Sequence, residues 1–259
     1  MSTMDHDSKA EEPIQAPFLS LLESGQFSDL KIRCKEDEYN VHKAIVCPQS
    51  DFFGTALNSV GGFKESKTNV IELHEADPAV VRAIVQFLYR SDYQMDPESD
   101  ENRTVFHVSM YSAAEMYQIE GLKSKALRHF ESRFSKFPDT SEPFAKIVEM
   151  VYSSTVDHDR SLRDHVARHV AQSFDEFRKS SELSTIAEDT PGFARDLSYA
   201  LHDNYLQQLK VLDKLEGLEM TCPHCKRSQF MPIRDLLNNT MEWCGSCHKY
   251  KYAQAWTRY

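Results

Sequence analysis

The chain has 259 residues, 41% of them hydrophobic and 27% charged, with 8 Gly and 10 Pro. This composition is typical of a globular protein of one or two domains and excludes a fibrous or largely disordered chain. The formal net charge of -10 at pH 7 excludes a protein that coats nucleic acid or anionic membrane over its whole surface, because like charges repel, but it allows a local basic patch.

The first 17 residues are polar and acidic and lack the apolar run of a signal peptide. We expect this tail to be disordered, since it has too little apolar surface to offset the entropy of ordering. No stretch approaches the roughly 18 apolar residues of a membrane span. We therefore expect an intracellular protein of the nucleus, the cytoplasm or both, without membrane partners. In that reducing setting the six cysteines are not a disulfide framework.

The first predicted elements are a helix and a β-hairpin. The helix begins near Pro17 and ends at Gly25. Apolar and charged residues then alternate over 30–34, the period-two pattern of a half-buried strand. A charged turn at 35–38 separates this strand from a second one that begins at Tyr39, which predicts a hairpin.

Short elements and then longer helices follow the hairpin. Ser50 and Asp77-Pro78 are typical helix starts, because Ser and Asp accept backbone N–H groups and proline has none to lose. An acidic loop at 96–102 separates two helices, and Gly121 is predicted to break the chain before another. The predicted elements are helices over 44–47 and 50–57, a strand over 70–73, and helices over 78–88, 105–117 and 122–130.

Pro138 marks a predicted boundary, beyond which the apolar pattern is helical only. Pro191-Gly192 is predicted to separate the last two of these helices. From about residue 218 the sequence becomes rich in Cys, Lys and aromatic residues. The predicted organisation is an α+β protein with a tail (1–17), a mixed domain (18–136), a helical extension (140–216) and a small cysteine-rich module similar to a zinc ribbon (218–259).

Several motifs follow one another between residues 24 and 135. They are Phe27-Ser28-Asp29-Leu30, the run Tyr39 to Val46, Ser50-Asp51-Phe52-Phe53, Phe63-Lys64-Glu65-Ser66, Ile71-Glu72-Leu73, Asp77-Pro78, Phe87-Leu88-Tyr89 and the run Met110 to Tyr117. In order and spacing this half of the chain resembles the BTB/POZ family. The acidic loop and the single-domain layout are similar to the fungal branch of that family.

The resemblance implies a small sheet capped by helices, used for homodimerisation and for docking other proteins. Asp29 and Lys43 match positions that form a charged pocket near the dimer interface in the family, and His42 matches their customary neighbour. The alternative is that these three side chains only satisfy one another or the backbone.

Phe63 and Glu65 match the hydrophobic-x-Glu element by which some BTB proteins bind a cullin scaffold of ubiquitin ligases. Such a pair is common by chance, and no kelch or MATH domain follows it here. The helical stretch 142–215 is in the position of the helical extension that often follows such domains.

Cys222, Cys225, Cys244 and Cys247 form two CxxC pairs separated by eighteen residues. This spacing predicts a structural Zn²⁺ site in which two knuckles complete a tetrahedron of thiolates. Four sulfur ligands close the coordination shell, so no position remains for a substrate or an activated water. The alternatives are four unrelated cysteines or a redox pair. Gly245 is predicted to supply a positive backbone angle in the second knuckle.

Other reactive residues have structural interpretations. Cys34 and Cys47 are predicted to act as small hydrophobic residues. His165 and His169 lie four apart, but Val166 excludes the HExxH pattern, so a solvated helix face is favoured. Phosphate-binding glycine loops and the GxSxG elbow are absent from the sequence, so we expect no enzymatic activity.

The predicted function is a non-enzymatic adaptor or scaffold that homodimerises, with a substrate adaptor of a cullin-type ligase as one form of it. The alternative is a nuclear transcription- or chromatin-associated regulator whose zinc module contacts nucleic acid. That module has six basic and two acidic residues from Met220 onward. The aromatic residues available for stacking on bases, or for a core, are Trp243, Tyr250, Tyr252 and Trp256.

Overall fold

The computed structural model describes residues 16–58, 63–95, 100–135, 142–179, 181–214, 218–231, 241–252 and 255–258. The predicted tail before residue 16, most of the acidic loop and the predicted boundary at Pro138 lie outside these ranges. Among the described helices, none combines the length and the apolar character that crossing a membrane would require.

The N-terminal half alternates short helices with three strands. They are α1 (Ala16–Ser24), β1 (Leu30–Cys34), β2 (Asp37–Val41), α2 (Lys43–Val46), a 3-10 turn (Cys47–Gln49), α3 (Asp51–Ala56), α4 (Lys64–Thr68), β3 (Val70–Glu72), α5 (Pro78–Arg90), α6 (Asp100–Met116) and α7 (Glu120–Phe134). Helices and a small terminal set of strands follow. They are α8 (Glu142–Ser154), α9 (Ser161–Gln172), α10 (Phe174–Phe177), α11 (Ser181–Asp189), α12 (Pro191–Lys214), β4 (Leu218–Thr221), β5 (Ser228–Met231), β6 (Met241–Trp243), β7 (Tyr250–Tyr252) and β8 (Thr257–Arg258). The predicted α+β class is confirmed.

The first sheet has the order β2-β1-β3, with β1 antiparallel to β2 and parallel to β3. Alternate residues of β1 are buried, as the sequence pattern predicts. The turn is shorter than predicted, because Cys34 pairs with Asp37 and Lys35 takes a positive φ of 51°. Glu38 therefore lies within the hairpin, where its carboxylate forms ion pairs with two cations of β1, Lys31 and Arg33.

Two predicted helix caps are present. Ser50 Oγ accepts the N–H of Phe53 at 3.1 Å and donates to the carbonyl of Tyr117 at 2.6 Å. Asp77 Oδ1 accepts the N–H of Ala79 at 2.8 Å. Each cap satisfies a backbone donor that the first helical turn leaves without a partner.

The predicted break at Gly121 is wrong. The chain turns before it, at Gln118 with a φ of 52°, and Gly121 lies inside α7. A Cβ at Gly121 would lie 3.4 Å from Cζ of Phe87, an ordinary van der Waals distance, so Gly121 lies where α7 passes α5. The short helix α4 was not predicted, because its polar sequence has no apolar period.

The helical extension shares one hydrophobic core with the N-terminal domain. Phe130 and Phe134 of α7 stack with their ring centroids 4.9 Å apart, and Phe134 stacks on Phe144 of α8 at 5.6 Å. His165 and His169 of α9 pack edge-on against Phe134, and burial lowers the pKa of both. The predicted solvated face for these two histidines is therefore wrong, because α7 covers it.

An ionic cluster also connects the N-terminal domain to the helical extension. Lys123 Nζ of α7 lies 2.9 Å from Oδ2 of Asp159, in the loop before α9, and also contacts Glu115. The hydroxyl of Tyr111 in α6 donates to Asp159 Oδ1 at 2.7 Å. Asp159 thus joins two helices of the N-terminal domain to the extension.

A buried histidine, His107, lies in α6 with 4% of its surface exposed. The hydroxyl of Tyr93 lies 2.8 Å from its Nδ1, and the ring of His129 stacks on it at 5.1 Å. Burial, followed by electrostatic repulsion from His129, Arg133 and Arg103, lowers the pKa of His107 to about 3. The folded protein therefore keeps His107 neutral in moderate acid.

We expect His107 to make the fold sensitive to acid. Below pH about 6.5 the unfolded chain protonates this histidine and the native state does not, so stability falls as the pH drops toward 3. The loss at pH 5 is about 2 kcal/mol. Urea unfolding at pH 7, 6 and 5 should show a flatter pH dependence in His107→Gln than in wild type. His74→Gln, at an exposed histidine, is the control, and identical slopes for wild type and His107→Gln would contradict the expectation.

Candidate functional site

Two equivalent turns carry the cysteine quartet. Cys222 follows β4, and its N–H donates to the carbonyl of Arg227 at 3.0 Å while its own carbonyl accepts from Lys226 at 3.1 Å. Cys244 follows β6 and repeats this pattern with Lys249 at 3.0 Å and His248 at 2.9 Å. Each hairpin therefore presents two thiols from one tight knuckle.

The positive backbone angles of these knuckles fall on Lys226 and His248, with φ of 62° and 56°. Gly245 was predicted to supply such an angle, and this prediction is wrong. The left-handed residue is the one directly after the second cysteine of each pair, where the chain reverses. Within the described part of the chain, a Cβ at Gly245 would meet nothing within 4 Å, so no close contact with these residues requires glycine there.

The four sulfur atoms lie within 4.8 Å of one another. The Sγ atoms of Cys222 and Cys247 are 3.8 Å apart, and those of Cys225 and Cys244 are 3.7 Å apart. A tetrahedral Zn²⁺ with Zn–S bonds of about 2.3 Å requires sulfur separations of about 3.8 Å. The donor set therefore has the size and chemistry to hold a metal ion of this kind.

The electrostatics of the quartet also suit a cation. Hydrogen bonding from the backbone N–H groups of Cys247 and Ser246 lowers the pKa of the Cys244 thiol to about 6. Burial, with contributions from the neighbouring thiols, raises the pKa of Cys247. Four adjacent thiols cannot all ionise by themselves, because their negative charges repel, and a bound divalent cation removes this conflict.

The cysteine-rich module has a small core of its own, formed by the quartet with Met220, Met231 and Trp256. β4 pairs with β5 and β8 in one sheet, and β6 pairs with β7 in another. Trp256 is buried, whereas Trp243, Tyr250 and Tyr252 are exposed. The sequence left open whether these four aromatic residues form a core or an exposed stacking surface. Trp256 belongs to the core, and the other three lie on the surface.

Basic side chains surround the first knuckle. Lys226, Lys249 and Lys251 are exposed, and all three lie close enough to His224 to help lower its pKa, after desolvation. Arg227 is exposed beside them. This side of the module therefore carries a local positive charge, although the chain as a whole is acidic.

In the N-terminal domain, the three predicted pocket residues are neighbours with different roles. Asp29 Oδ1 accepts the backbone N–H of Lys43 at 2.8 Å, while Lys43 Nζ donates to Asn69 at 2.6 Å. His42 is buried, with Nδ1 2.7 Å from the Tyr89 hydroxyl and Nε2 2.8 Å from the carbonyl of Gln26. The two oxygens satisfy the imidazole, and burial raises the pKa of Tyr89 to about 12.

Phe63 and Glu65 lie at the start of α4. Phe63 is the residue before the helix and leaves 48% of its surface exposed, while Glu65 is half-buried in the first turn. Outside these sites, Cys34 is buried and Cys47 half-buried, and burial raises the pKa of both thiols. Both cysteines have the environment of small hydrophobic residues, as predicted.

The model of the BTB/POZ domain family matches residues 18–133. This part of the chain is a BTB/POZ domain. The predicted resemblance is thereby confirmed, while assignment to the fungal branch stays a prediction.

Relatives match over the BTB domain. Germ cell-less protein-like 1 of Mus musculus is 32% identical over 105 residues, which are 40% of this chain and 19% of that protein. Kelch-like protein 40a of Danio rerio is 24% identical over 120 residues, 46% of this chain and 18% of that protein. A solved structure of the BTB domain of zebrafish PATZ1 is 21% identical, with a TM-score of 0.37, and the match covers 51% of this chain and 99% of that one. The chain thus spans less than a fifth of the length of these two curated relatives.

Sequence reasoning missed one prominent surface residue of the BTB domain. Phe27 has a positive φ of 64° and leaves 78% of its surface exposed. A phenylalanine in this conformation is uncommon, since only glycine and a few polar residues adopt it readily. The sequence signal was Gly25, where the first predicted helix ends, but it does not indicate the direction of the ring that follows.

Proposed function

We propose that the chain is a non-enzymatic adaptor that homodimerises through its BTB domain and presents the extension and the cysteine-rich module to other proteins. The observation that carries the proposal is the BTB/POZ domain at residues 18–133, since the family is used for self-association and docking. The nucleus or the cytoplasm is the proposed compartment.

Exposed aromatic side chains support a dimer surface at the N-terminal edge of the domain. Phe18 and Phe27 are 41% and 78% exposed, and Phe27 lies two residues before Asp29 of the proposed charged pocket. A two-fold interface uses the same patch on both copies, so it would bury these rings on each of the two subunits. We propose that Asp29, His42 and Lys43 line this interface.

Docking to a cullin-type scaffold is the finer form of the proposal. Phe63 is exposed and α4 fixes its position relative to Glu65. An exposed aromatic anchor beside a carboxylate is suited to a protein interface, where aromatic residues contribute much of the binding energy.

We propose that the cysteine-rich module holds one structural Zn²⁺. Its sulfur separations of 3.7 and 3.8 Å support this assignment. The metal would supply folding energy for a module with so few core residues. It would not supply catalysis, because four thiolates leave no open position.

A second candidate is a nuclear transcription- or chromatin-associated regulator whose cysteine-rich module contacts nucleic acid. The exposed Trp243, Tyr250 and Tyr252 beside a basic cluster favour it. The two candidates differ in the ligand of the cysteine-rich module, which is a protein in the first and a nucleic acid in the second.

A pull-down with two differently tagged copies and a cullin scaffold tests the adaptor. Wild type should recover both the second copy and the scaffold. Phe63→Ala/Glu65→Ala should recover the second copy as wild type does. The amount of scaffold recovered should fall by at least about tenfold, as expected when a hot-spot residue is removed. Tyr205→Ala/Asp203→Ala, an exposed pair on α12, is the matched control and should behave as wild type.

Failure to recover a second copy would contradict the dimer. Equal recovery of the scaffold by wild type and by Phe63→Ala/Glu65→Ala, or by neither, would contradict the cullin docking.

A further inference from the structure

One face of the β6–β7 hairpin is apolar and open to solvent. Met241 lies opposite Tyr252 and Trp243 opposite Tyr250 in the strand register. Directly paired residues, and residues two apart on one strand, point to the same side of a sheet. All four side chains therefore share one face, and they leave 46–60% of their surfaces exposed.

Three of these four side chains are aromatic, and their spacing is regular. Tyr250 and Tyr252 are two residues apart, which separates them by roughly 7 Å along the strand. Trp243 lies opposite Tyr250 on the neighbouring strand, within roughly 5 Å. Flat rings at such steps form a platform on which successive unpaired bases can stack.

The cations of the same module distinguish a nucleic acid from a protein partner. Lys249 and Lys251 alternate with the two tyrosines and so point to the opposite side of the narrow hairpin, and Lys226 and Arg227 lie on the adjacent knuckle. Protein interfaces are enriched in aromatic residues but depleted in lysine, whereas grooves for single strands combine aromatic rings with lysine and arginine. A chain of net charge -10 would otherwise repel a polyanion, so the contact is confined to this basic module.

We propose that the β6–β7 face binds single-stranded nucleic acid without strong sequence preference. The rings of Trp243, Tyr250 and Tyr252 stack on bases, and the long side chains of the lysines on the reverse of the hairpin and on the knuckle contact phosphates at its edge. A duplex is disfavoured, because its bases already stack on one another and offer no free faces. The inference rests on the zinc-stabilised fold of the cysteine-rich module in the proposed function and adds the class of ligand.

The test is fluorescence anisotropy of the full chain with a labelled oligothymidylate of roughly fifteen nucleotides, titrated at several salt concentrations. Trp243→Ala/Tyr250→Ala should weaken binding by at least about 30-fold. Lys249→Ala/Lys251→Ala should reduce the slope of log K against log salt by about 1.4. Phe230→Ala, an equally exposed ring on β5, is the control and should bind as wild type.

Four results would overturn the proposal. The first three are no binding of the oligonucleotide at low salt, equal affinity for a duplex, and full binding by Trp243→Ala/Tyr250→Ala. The fourth is recovery of a protein partner through Trp243 by a chain that has no affinity for the oligonucleotide. Zinc content and dimer mass are measured on the same samples. Loss of zinc marks a failure of the proposed function, whereas a zinc-loaded dimer that does not bind the oligonucleotide refutes this inference alone.

Discussion

Cys244→Ser is expected to release the metal and unfold the cysteine-rich module. Cys244 is buried in the small module core, where its thiol is one of four that lie within 4.8 Å. Apparent zinc-binding energies of about 10–16 kcal/mol in small zinc-finger peptides are also folding energies, so the few apolar contacts of this module cannot replace the metal. Elemental analysis should find zinc in wild type and less than about a tenth of it in the variant.

The damage should remain local. Among the described residues, the module core and the main core have none in common, so thermal unfolding of the BTB domain and extension should change little. Limited trypsin digestion should cut after Lys226 or Arg227 in the variant and spare these sites in wild type. Cys47→Ser, at a half-buried thiol outside the quartet, should keep the zinc. Full zinc content in Cys244→Ser would refute the tetrathiolate site.

Asp159→Ala is expected to destabilise the main core by about 3 kcal/mol. The side chain of Asp159 is 8% exposed and that of Lys123 20% exposed, so removing the carboxylate leaves a largely buried ammonium without its closest buried partner. The hydroxyl of Tyr111 loses an acceptor at the same time. Urea unfolding of the full chain should show a lower midpoint with an unchanged slope.

The same carboxylate gives a pH test. Burial raises the pKa of Asp159, but hydrogen bonds from Lys123 and Tyr111 outweigh it, and the net shift is downward. Its contribution is therefore present above pH about 4 and is lost as the pH falls further. Asp159→Asn should retain a hydrogen-bond acceptor, lose less stability than the alanine variant and show a smaller loss in this acid range. An alanine variant as stable as wild type would show that the cluster does not stabilise the junction.

Features that depend on a few adjacent residues could be predicted from the sequence. The alternation of Leu30, Ile32 and Cys34 gave the first strand, and Ser50 and Asp77 gave helix starts, because caps act within one helical turn. The cysteine quartet could be predicted as well, since each knuckle is fixed by a CxxC spacing.

Features that depend on distant parts of the chain could not be predicted. Gly121 was interpreted as a helix breaker, yet it lies inside α7 beside Phe87 of another helix. His165 and His169 were assigned to solvent because no local signal shows that α7 covers them. In the cysteine-rich module, the sequence suggested four aromatic residues for either core or surface, and only the folded module shows that Trp256 is buried and the other three rings are exposed.

Native mass spectrometry of the purified chain tests the central claim most directly, because one spectrum reports both the assembly mass and the bound metal. The BTB domain and the cysteine-rich module together predict a dimer that carries two zinc ions, one in each chain. A monomer without metal, at protein concentrations well above micromolar, would contradict both parts of the account.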